Sequence, residues 1–229
     1  MLENRYGDKL REGNQLILNL TPANYVLRIE LSFELKKLIK NQIKFKILEI
    51  GSGEGDLTKY ILKNNKDLHI DCLDISKEMV DLSKKYLSDY ISRINFINED
   101  ALEFLNNLDL KYNIIVSAWT IHNFTWEEKK SLFNKIYSSL SKGGTFLLMD
   151  KVYPDNEKEK INLLDTQVKR YSHLNKGLNE EIINHEKQDF LDDYRMDEYN
   201  LIKILKQIGF KEINILDRVE RDILLIAKK

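Results

Sequence analysis

The segment Glu49-Ile50-Gly51-Ser52-Gly53-Glu54-Gly55 places three glycines at alternate positions among carboxylates. Glycine lets the backbone turn sharply and lets a ligand approach closer than any side chain would permit. An apolar run over residues 45–50 precedes this turn, and Leu57, Tyr60 and Ile61 follow it at helical spacing. A glycine triplet gains specificity from that strand–turn–helix placement. Asp74 ends the next apolar run, about twenty residues on, where a carboxylate can accept both hydroxyls of a ribose. Asp100 ends the third run, in Asn98-Glu99-Asp100-Ala101. Three strand ends of this kind line one crevice at the carboxyl edge of an open α/β sheet.

Two ligand classes compete for such a crevice. A dinucleotide fold wants G-x-G-x-x-G with a helix N-terminus facing a pyrophosphate. Here the spacing is G-x-G-x-G, Asp56 stands at the position of the last dinucleotide glycine, and Glu49 precedes the turn. Glu49, Glu54 and Asp56 repel a pyrophosphate and suit a ligand bearing an amino group and a sulfonium. The acidic loop decides against NAD.

The elements that must position these residues alternate. Apolar runs over 45–50, 68–73, 94–98, 113–116 and 145–149 read as strands, separated by helical patterns. Ser76 caps the helix whose face carries Met79, Ser83, Tyr86 and Tyr90. Thr125-x-x-Glu128 is a capping box opening a helix that buries Leu132, Phe133, Ile136, Tyr137 and Leu140 and is expected to stop at Gly143-Gly144. Strands joined through helices need crossovers, so the sheet is expected to be largely parallel and covered on both faces. Near the C-terminus a helix over 197–208 ends at Gly209. The runs 211–216 and 222–227 are then so close that they must pair antiparallel. The expected fold is a Rossmann-like α/β seven-stranded, mostly parallel sheet with an antiparallel last strand, helices on both faces and a helical lid.

One domain over 1–229 accounts for the chain: an N-terminal helical lid (1–40), a cofactor-binding core (41–154), a helical insertion (155–195), and a C-terminal helix with β-hairpin (196–229). In the lid segment Val26, Ile29 and Phe33 form one stripe and Leu27, Leu31 and Leu35 another. The composition is 42% hydrophobic and 32% charged with net charge -1, which argues against sequence-independent binding to nucleic acid. The start of the chain is too polar for a signal peptide, no apolar run reaches membrane-spanning length, and Cys72 has no partner for a disulfide. A soluble, cytoplasmic protein with no membrane partner and no metal site is expected. Oligomeric state is not readable.

LEIGSGEG at 48–55, Asp74 in CLDIS, the Glu99-Asp100 pair and SKGGTFLLMD at 141–150 together resemble class I S-adenosylmethionine-dependent methyltransferases, over roughly residues 45–229. The resemblance implies S-adenosylmethionine as cofactor and S-adenosylhomocysteine as product. It implies that Gly51, Ser52, Gly53 and Gly55 wrap the methionine portion, with Glu49 orienting its amino group. Asp74 would hold the ribose, Ile75 and Met79 would lie beside the adenine, Asp100 would bond the adenine amino group with Ala101 beside it, and Ser117 and Ala118 would pass near the methionine chain. Ser117-Ala-Trp-Thr-Ile-His-Asn-Phe124 resembles the same segment of small-molecule methyltransferases of the quinone-biosynthesis type. It is also similar to that of carboxy-S-adenosylmethionine synthase, which modifies the cofactor itself.

Methyl transfer to a small-molecule acceptor is therefore the expected activity. The alternatives are a tRNA or protein methyltransferase, or a cofactor-modifying enzyme. His122, after the fourth strand, is the candidate base if the acceptor must lose a proton, and the competing reading is a loop cap. Trp119 could flank the sulfonium or the acceptor, or serve as a core aromatic. Tyr25, Arg170, Tyr171 and His173 are further candidates for the acceptor side, against a solvated helix face. Cys72 reads as buried packing.

Overall fold

The computed structural model describes residues 17, 19–39, 45–154, 156–174 and 176–229. Of the N-terminal segment expected to be helical (1–40), residues 1–16, 18 and 40 lie outside the described residues. Seven strands, β1 (Ile47–Ile50), β2 (Ile70–Asp74), β3 (Ile94–Asn98), β4 (Tyr112–Ala118), β5 (Leu140–Lys151), β6 (Lys211–Val219) and β7 (Asp222–Lys228), form one sheet in the order β3-β2-β1-β4-β5-β7-β6. β1 to β5 pair in parallel, and β7 runs antiparallel between β5 and β6. The strand order reverses between β1 and β4, which opens a crevice at their carboxyl ends.

Strand side chains alternate between faces, and two apolar cores show it. Leu48, Ile50, Ile115, Phe146, Leu148, Ile223 and Leu225 pack on one face; Ile47, Ile114, Val116, Leu147, Met149, Leu224 and Ile226 pack on the other. Helix α1 (Pro22–Ile39) and helix α2 (Asp56–Asn64) cover the second face. Of the two stripes on α1, Leu27, Leu31 and Leu35 are the buried ones, while Val26, Ile29 and Phe33 are exposed. Helices α3 (Lys77–Tyr86) and α4 (Ala101–Asn106) follow β2 and β3. The first core is closed by α5 (Trp126–Ser139) and α8 (Glu198–Ile208).

Local chemistry explains the boundaries. The Ser76 hydroxyl accepts from the Met79 amide at the start of α3, and Asp100 caps α4 through the amides of Leu102 and Glu103. Thr125 and Glu128 form the expected capping box of α5. That helix stops at Ser139, however, and not at Gly143-Gly144. Leu140 turns extended and pairs with Tyr112, so β5 begins five residues before the expected start at Thr145, and Gly143 (φ +75°) sits inside the strand opposite Lys229. Gly209 ends α8 in the left-handed region, as expected. The hairpin is tighter than the sequence suggested, because β6 continues to Val219 past two register shifts. Between β5 and α8 lie α6 (Glu157–Tyr171) and α7 (Lys176–Asp189), whose Tyr171, Leu178 and Ile182 make a third cluster with Ile17, Leu20 and Leu174. No helix among the described residues is long and apolar enough to cross a membrane.

Candidate active site

A cavity of about 290 Å³ opens at the carboxyl edge of β1, β2 and β4 and runs to the inner faces of α1, α6 and α7. Gly51, Gly53 and Gly55 all have positive φ (72°, 51° and 91°), a region that side chains rarely adopt. A Cβ on Gly51 would lie 2.1 Å from Thr120 Oγ1, so the loop after β4 presses on the turn after β1. The Thr120 hydroxyl bonds the carbonyls of Ala118 and Gly51 and locks that contact. A Cβ on Gly53 would meet nothing within 4 Å.

Asp74 ends β2 with one carboxylate oxygen accepting from the Gly53 amide (2.8 Å) and the other from the Ser76 amide (2.9 Å). It thereby ties the glycine turn to the second strand. Burial raises its pKa, with the amides of Ser76 and Gly53 pulling the other way. Glu49 is only 2% exposed and accepts from Thr58 Oγ1 at 2.5 Å. Burial pushes its carboxyl up to about 8, against the Thr58 hydrogen bond and the charge of Arg28. Arg28, on α1, lines the same cavity; its buried Nε has no hydrogen-bond partner among the described residues, and its guanidinium lies 5.8 Å from the Trp119 ring centre. Burial lowers the Arg28 pKa, while Asp56 and Glu49 favour its charge.

The loop after β4 carries the acceptor-side candidates. Trp119 holds φ +46°, a rare conformation for a bulky residue, and its indole N–H donates to Asp222 Oδ1 at 2.7 Å. His122 lies in a short 3₁₀ turn (Ile121–Asn123), buried, with Nδ1 2.7 Å from Asp150 Oδ1 and its amide on Asp150 Oδ2. Burial alone would raise the Asp150 pKa, but His122 and the amides of Lys151 and His122 outweigh it and hold the carboxyl below its ordinary value. Beneath the turn the buried Lys129 ammonium donates to the carbonyls of His122, Phe124 and Tyr194. His185 of α7 meets Asn123 Oδ1 at 3.0 Å, and burial lowers its pKa to about 3, so the ring is neutral.

The floor of the cavity is a buried ionic network. Lys151 bonds Glu186 (3.1 Å) and Asp189 (3.0 Å), and Arg221 pairs with Glu186 through both terminal nitrogens. Burial alone would raise Glu186, but Arg221 and Lys151 hold it down to about 2. Desolvation of such charges is costly unless they are fully paired, so a network here serves geometry more than stability.

Among the expected site residues, Glu49, Gly51, Ser52, Gly53, Asp74, Ile75, Met79, Asp100, Ala101, Ala118, Trp119, His122 and Tyr171 all line this cavity. Gly55 and Ser117 stand behind its wall: a Cβ on Gly55 would strike Leu87, and the Ser117 hydroxyl donates to the Ile50 carbonyl. Tyr25 and Arg170 do not line the cavity. Tyr25 is 57% exposed and bonds Asn19, because the α1 face turned inward carries Arg28 instead. Arg170 bonds Glu220 and Gln167. His173 is exposed. Cys72 is buried against Thr58. Sequence reasoning missed Arg28, Asp150, Lys151, His185, Glu186, Arg221 and Asp222. For Asp150 a signal existed, a carboxylate closing the strand next to β4; the others depend on how α1, α7 and the hairpin dock.

A methyltransferase-domain family model matches residues 47–144. The chain is 28% identical over 220 residues to the carboxy-S-adenosyl-L-methionine synthase of Nautilia profundicola, covering 93% of this chain and 89% of that one. It is 36% identical over 130 residues to malonyl-[acyl-carrier protein] O-methyltransferase 1 of Ilyobacter polytropus, covering 55% and 46%. Among solved structures the CurJ carbon methyltransferase superposes with a TM-score of 0.73 at 18% identity, over 97% of this chain and 61% of that one, a likeness of fold. The glycine turn, the strand-ending carboxylates and the strand order agree with these relatives: residues 47–144 match a methyltransferase domain, and the chain is similar to S-adenosylmethionine-dependent enzymes of class I methyltransferase fold.

Proposed function

We propose that this enzyme transfers the methyl group of S-adenosylmethionine to a small-molecule acceptor and releases S-adenosylhomocysteine. The observation that carries this reading is the continuity of one cavity from the glycine turn and Asp74 to His122 and the inner faces of α6 and α7. The residues present fit the cofactor. An amino acid's ammonium and carboxylate call for one anion and one cation, and Glu49 and Arg28 supply that pair on one wall. Gly53 leaves open space where a side chain would stand. Asp74 has its remaining lone pairs for ribose hydroxyls, and Asp100, with Ala101, Ile75 and Met79, frames the adenine end. Sites along β4, at Ala118, pass the methionine chain.

When bound, the cofactor supplies an electrophilic methyl on a sulfonium. The chain's own work is to position the acceptor in line with it and to exclude water. His122 is held by Asp150 with its Nδ1–H occupied, so Nε2 is the atom that takes a proton if the acceptor must lose one. Trp119 and Tyr171 would pack the acceptor.

The test is calorimetric titration with S-adenosylmethionine, S-adenosylhomocysteine and NAD, followed by acceptor screening with mass detection of both products. Binding of the first two without NAD supports the reading, and binding of NAD alone refutes it. The likeness to a carboxy-S-adenosyl-L-methionine synthase along nearly the whole chain favours a second reading, modification of the cofactor itself. A nucleoside heavier than S-adenosylmethionine among the products would decide for it.

A further inference from the structure

The tip of the β6–β7 hairpin reaches three walls of the cavity through three consecutive side chains. Glu220 accepts from Gln167 Nε2 (3.4 Å) and Arg170 Nη2 (2.5 Å) of α6. Arg221 pairs with Glu186 of α7 through both terminal nitrogens. Asp222 Oδ1 accepts from the indole of Trp119, in the loop after β4. The Val152 amide donates to the Arg221 carbonyl at 2.9 Å, which ties the tip to the end of β5. Gln167, Glu186, Arg221, Asp222 and Trp119 all line the cavity.

Two of these residues stand in the left-handed region, Glu220 at φ +56° and Trp119 at φ +46°. Such a backbone is costly for a residue with a Cβ and persists only where the surroundings over-determine it, an arrangement that clusters at working sites. At Trp119 two anchors do so. Its amide donates to the Met149 carbonyl at 2.8 Å, and its indole N–H donates to Asp222 at 2.7 Å. The first fixes the main chain. The second fixes the ring, which the main chain alone would leave to choose among rotamers. Asp222 suits the task, being 4% exposed and the first residue of β7. Burial raises its pKa, while Arg221, the Trp119 N–H and Lys151 favour its charge. A hydrogen bond to an ionised carboxylate is stronger than one to a neutral oxygen.

We propose that Asp222 is a positioning residue for the acceptor: it holds the Trp119 ring at the cavity wall, in the loop that runs from Ala118 to His122, and so sets the shape against which the acceptor packs. The assignment rests on the methyl-transfer reading, since it takes that end of the cavity as the acceptor's.

Trp119 and Trp126 are the two tryptophans of the chain, so Trp126→Phe leaves one indole N–H signal in a proton–nitrogen correlation spectrum. In that parent the signal is expected downfield and slow to exchange. Adding Asp222→Ala should move it upfield and speed its exchange by about tenfold or more, and Asp222→Asn, which keeps an acceptor oxygen, should restore most of the difference. The probe for the acceptor end is 4-methylphenol, titrated into protein saturated with S-adenosylhomocysteine. It should shift the Trp119 signal in the parent and bind about tenfold more weakly to Asp222→Ala, with recovery in Asp222→Asn. S-adenosylhomocysteine affinity should stay within about threefold throughout, which a general loss of structure would not allow. Trp119→Phe keeps an aromatic ring and deletes the N–H, so it should lose the same affinity for the probe in calorimetry, and it carries the test if Asp222→Ala does not fold. Unchanged probe affinity in either folded variant, a Trp119 signal indifferent to the probe, or an equal loss of S-adenosylhomocysteine affinity overturns the role of Asp222 and leaves the methyl-transfer reading standing. A parent that fails to bind S-adenosylhomocysteine refutes that reading and the assignment together.

Discussion

Replacing Glu49 with Gln should make the free protein more stable at alkaline pH and less able to bind its cofactor. Glu49 is buried beside the glycine turn, and burial pushes its carboxyl up to about 8 from an ordinary 4.5. Between those two values the folded chain binds a proton that the unfolded chain has released. A group raised in the folded state contributes stability that is present at low pH and lost as pH rises through the folded value. The loss approaches about 1.4 kcal/mol per pH unit in the middle of the window. Between pH 6 and pH 8 it sums to about 2 kcal/mol, equivalent to a melting shift of about 6 °C for a chain of this size. Gln keeps the shape, still accepts from Thr58, and has nothing to titrate. The assay is the difference in melting temperature between wild type and Glu49→Gln across pH 5 to 9, since other groups cancel in the difference. A wild-type curve that falls relative to the variant and then levels above about pH 8 is expected. Saturating S-adenosylhomocysteine should flatten the fall, because its ammonium stabilises the ionised carboxylate. Parallel curves without ligand would refute the assigned burial effect.

Other expectations follow from the same wall. Asp74→Ala removes the acceptor for the Gly53 and Ser76 amides as well as the proposed ribose contact, so cofactor affinity should fall by about 100-fold in calorimetry. His122→Gln should lower turnover by about 100-fold or more while changing S-adenosylhomocysteine affinity by less than about threefold, which separates a role at the acceptor from one at the cofactor. Gly51→Ala places a methyl 2.1 Å from Thr120 Oγ1 at a positive φ, and urea denaturation should show a loss of about 3 kcal/mol. Arg28→Gln should weaken S-adenosylmethionine by about tenfold, and decarboxylated S-adenosylmethionine should feel the change far less.

Much of the architecture was legible because its signals are local. Alternating apolar runs placed the strands, Ser76 and Thr125–Glu128 placed helix starts, and the short link between β6 and β7 dictated an antiparallel pair. The glycine-turn end of the cavity was legible for the same reason, since a glycine turn and strand-ending carboxylates sit at fixed offsets from their strands. The opposite end of the cavity, proposed for the acceptor, was not. Arg28 faces inward only because Leu27, Leu31 and Leu35 choose which side of α1 meets the sheet. Val26, Ile29 and Phe33 have an equally apolar pattern, and no spacing rule ranks the two stripes. His185, Glu186 and Asp189 sit on a helix whose polar residues read as a solvated face until Lys151 and Arg221 are brought under it from distant strands. The stop of α5 was misread because Gly143-Gly144 marks a strand irregularity as readily as a helix end.

The position of β7 also sets an order of assembly. β6 is translated before β7 yet cannot join the sheet without it, since β7 fills the place between β5 and β6. A growing chain must therefore keep a slot open, with Leu147 and Met149 on the unpaired margin of β5. Until the slot is filled that margin is a sticky edge, able to recruit a strand from a neighbouring molecule. The same insertion delivers Arg221 and Asp222 to the cavity floor, so the ionic network there closes only when the sheet does. A chain stalled short of β7 would carry the glycine turn and Asp74 without Arg221 and Asp222 on the cavity floor.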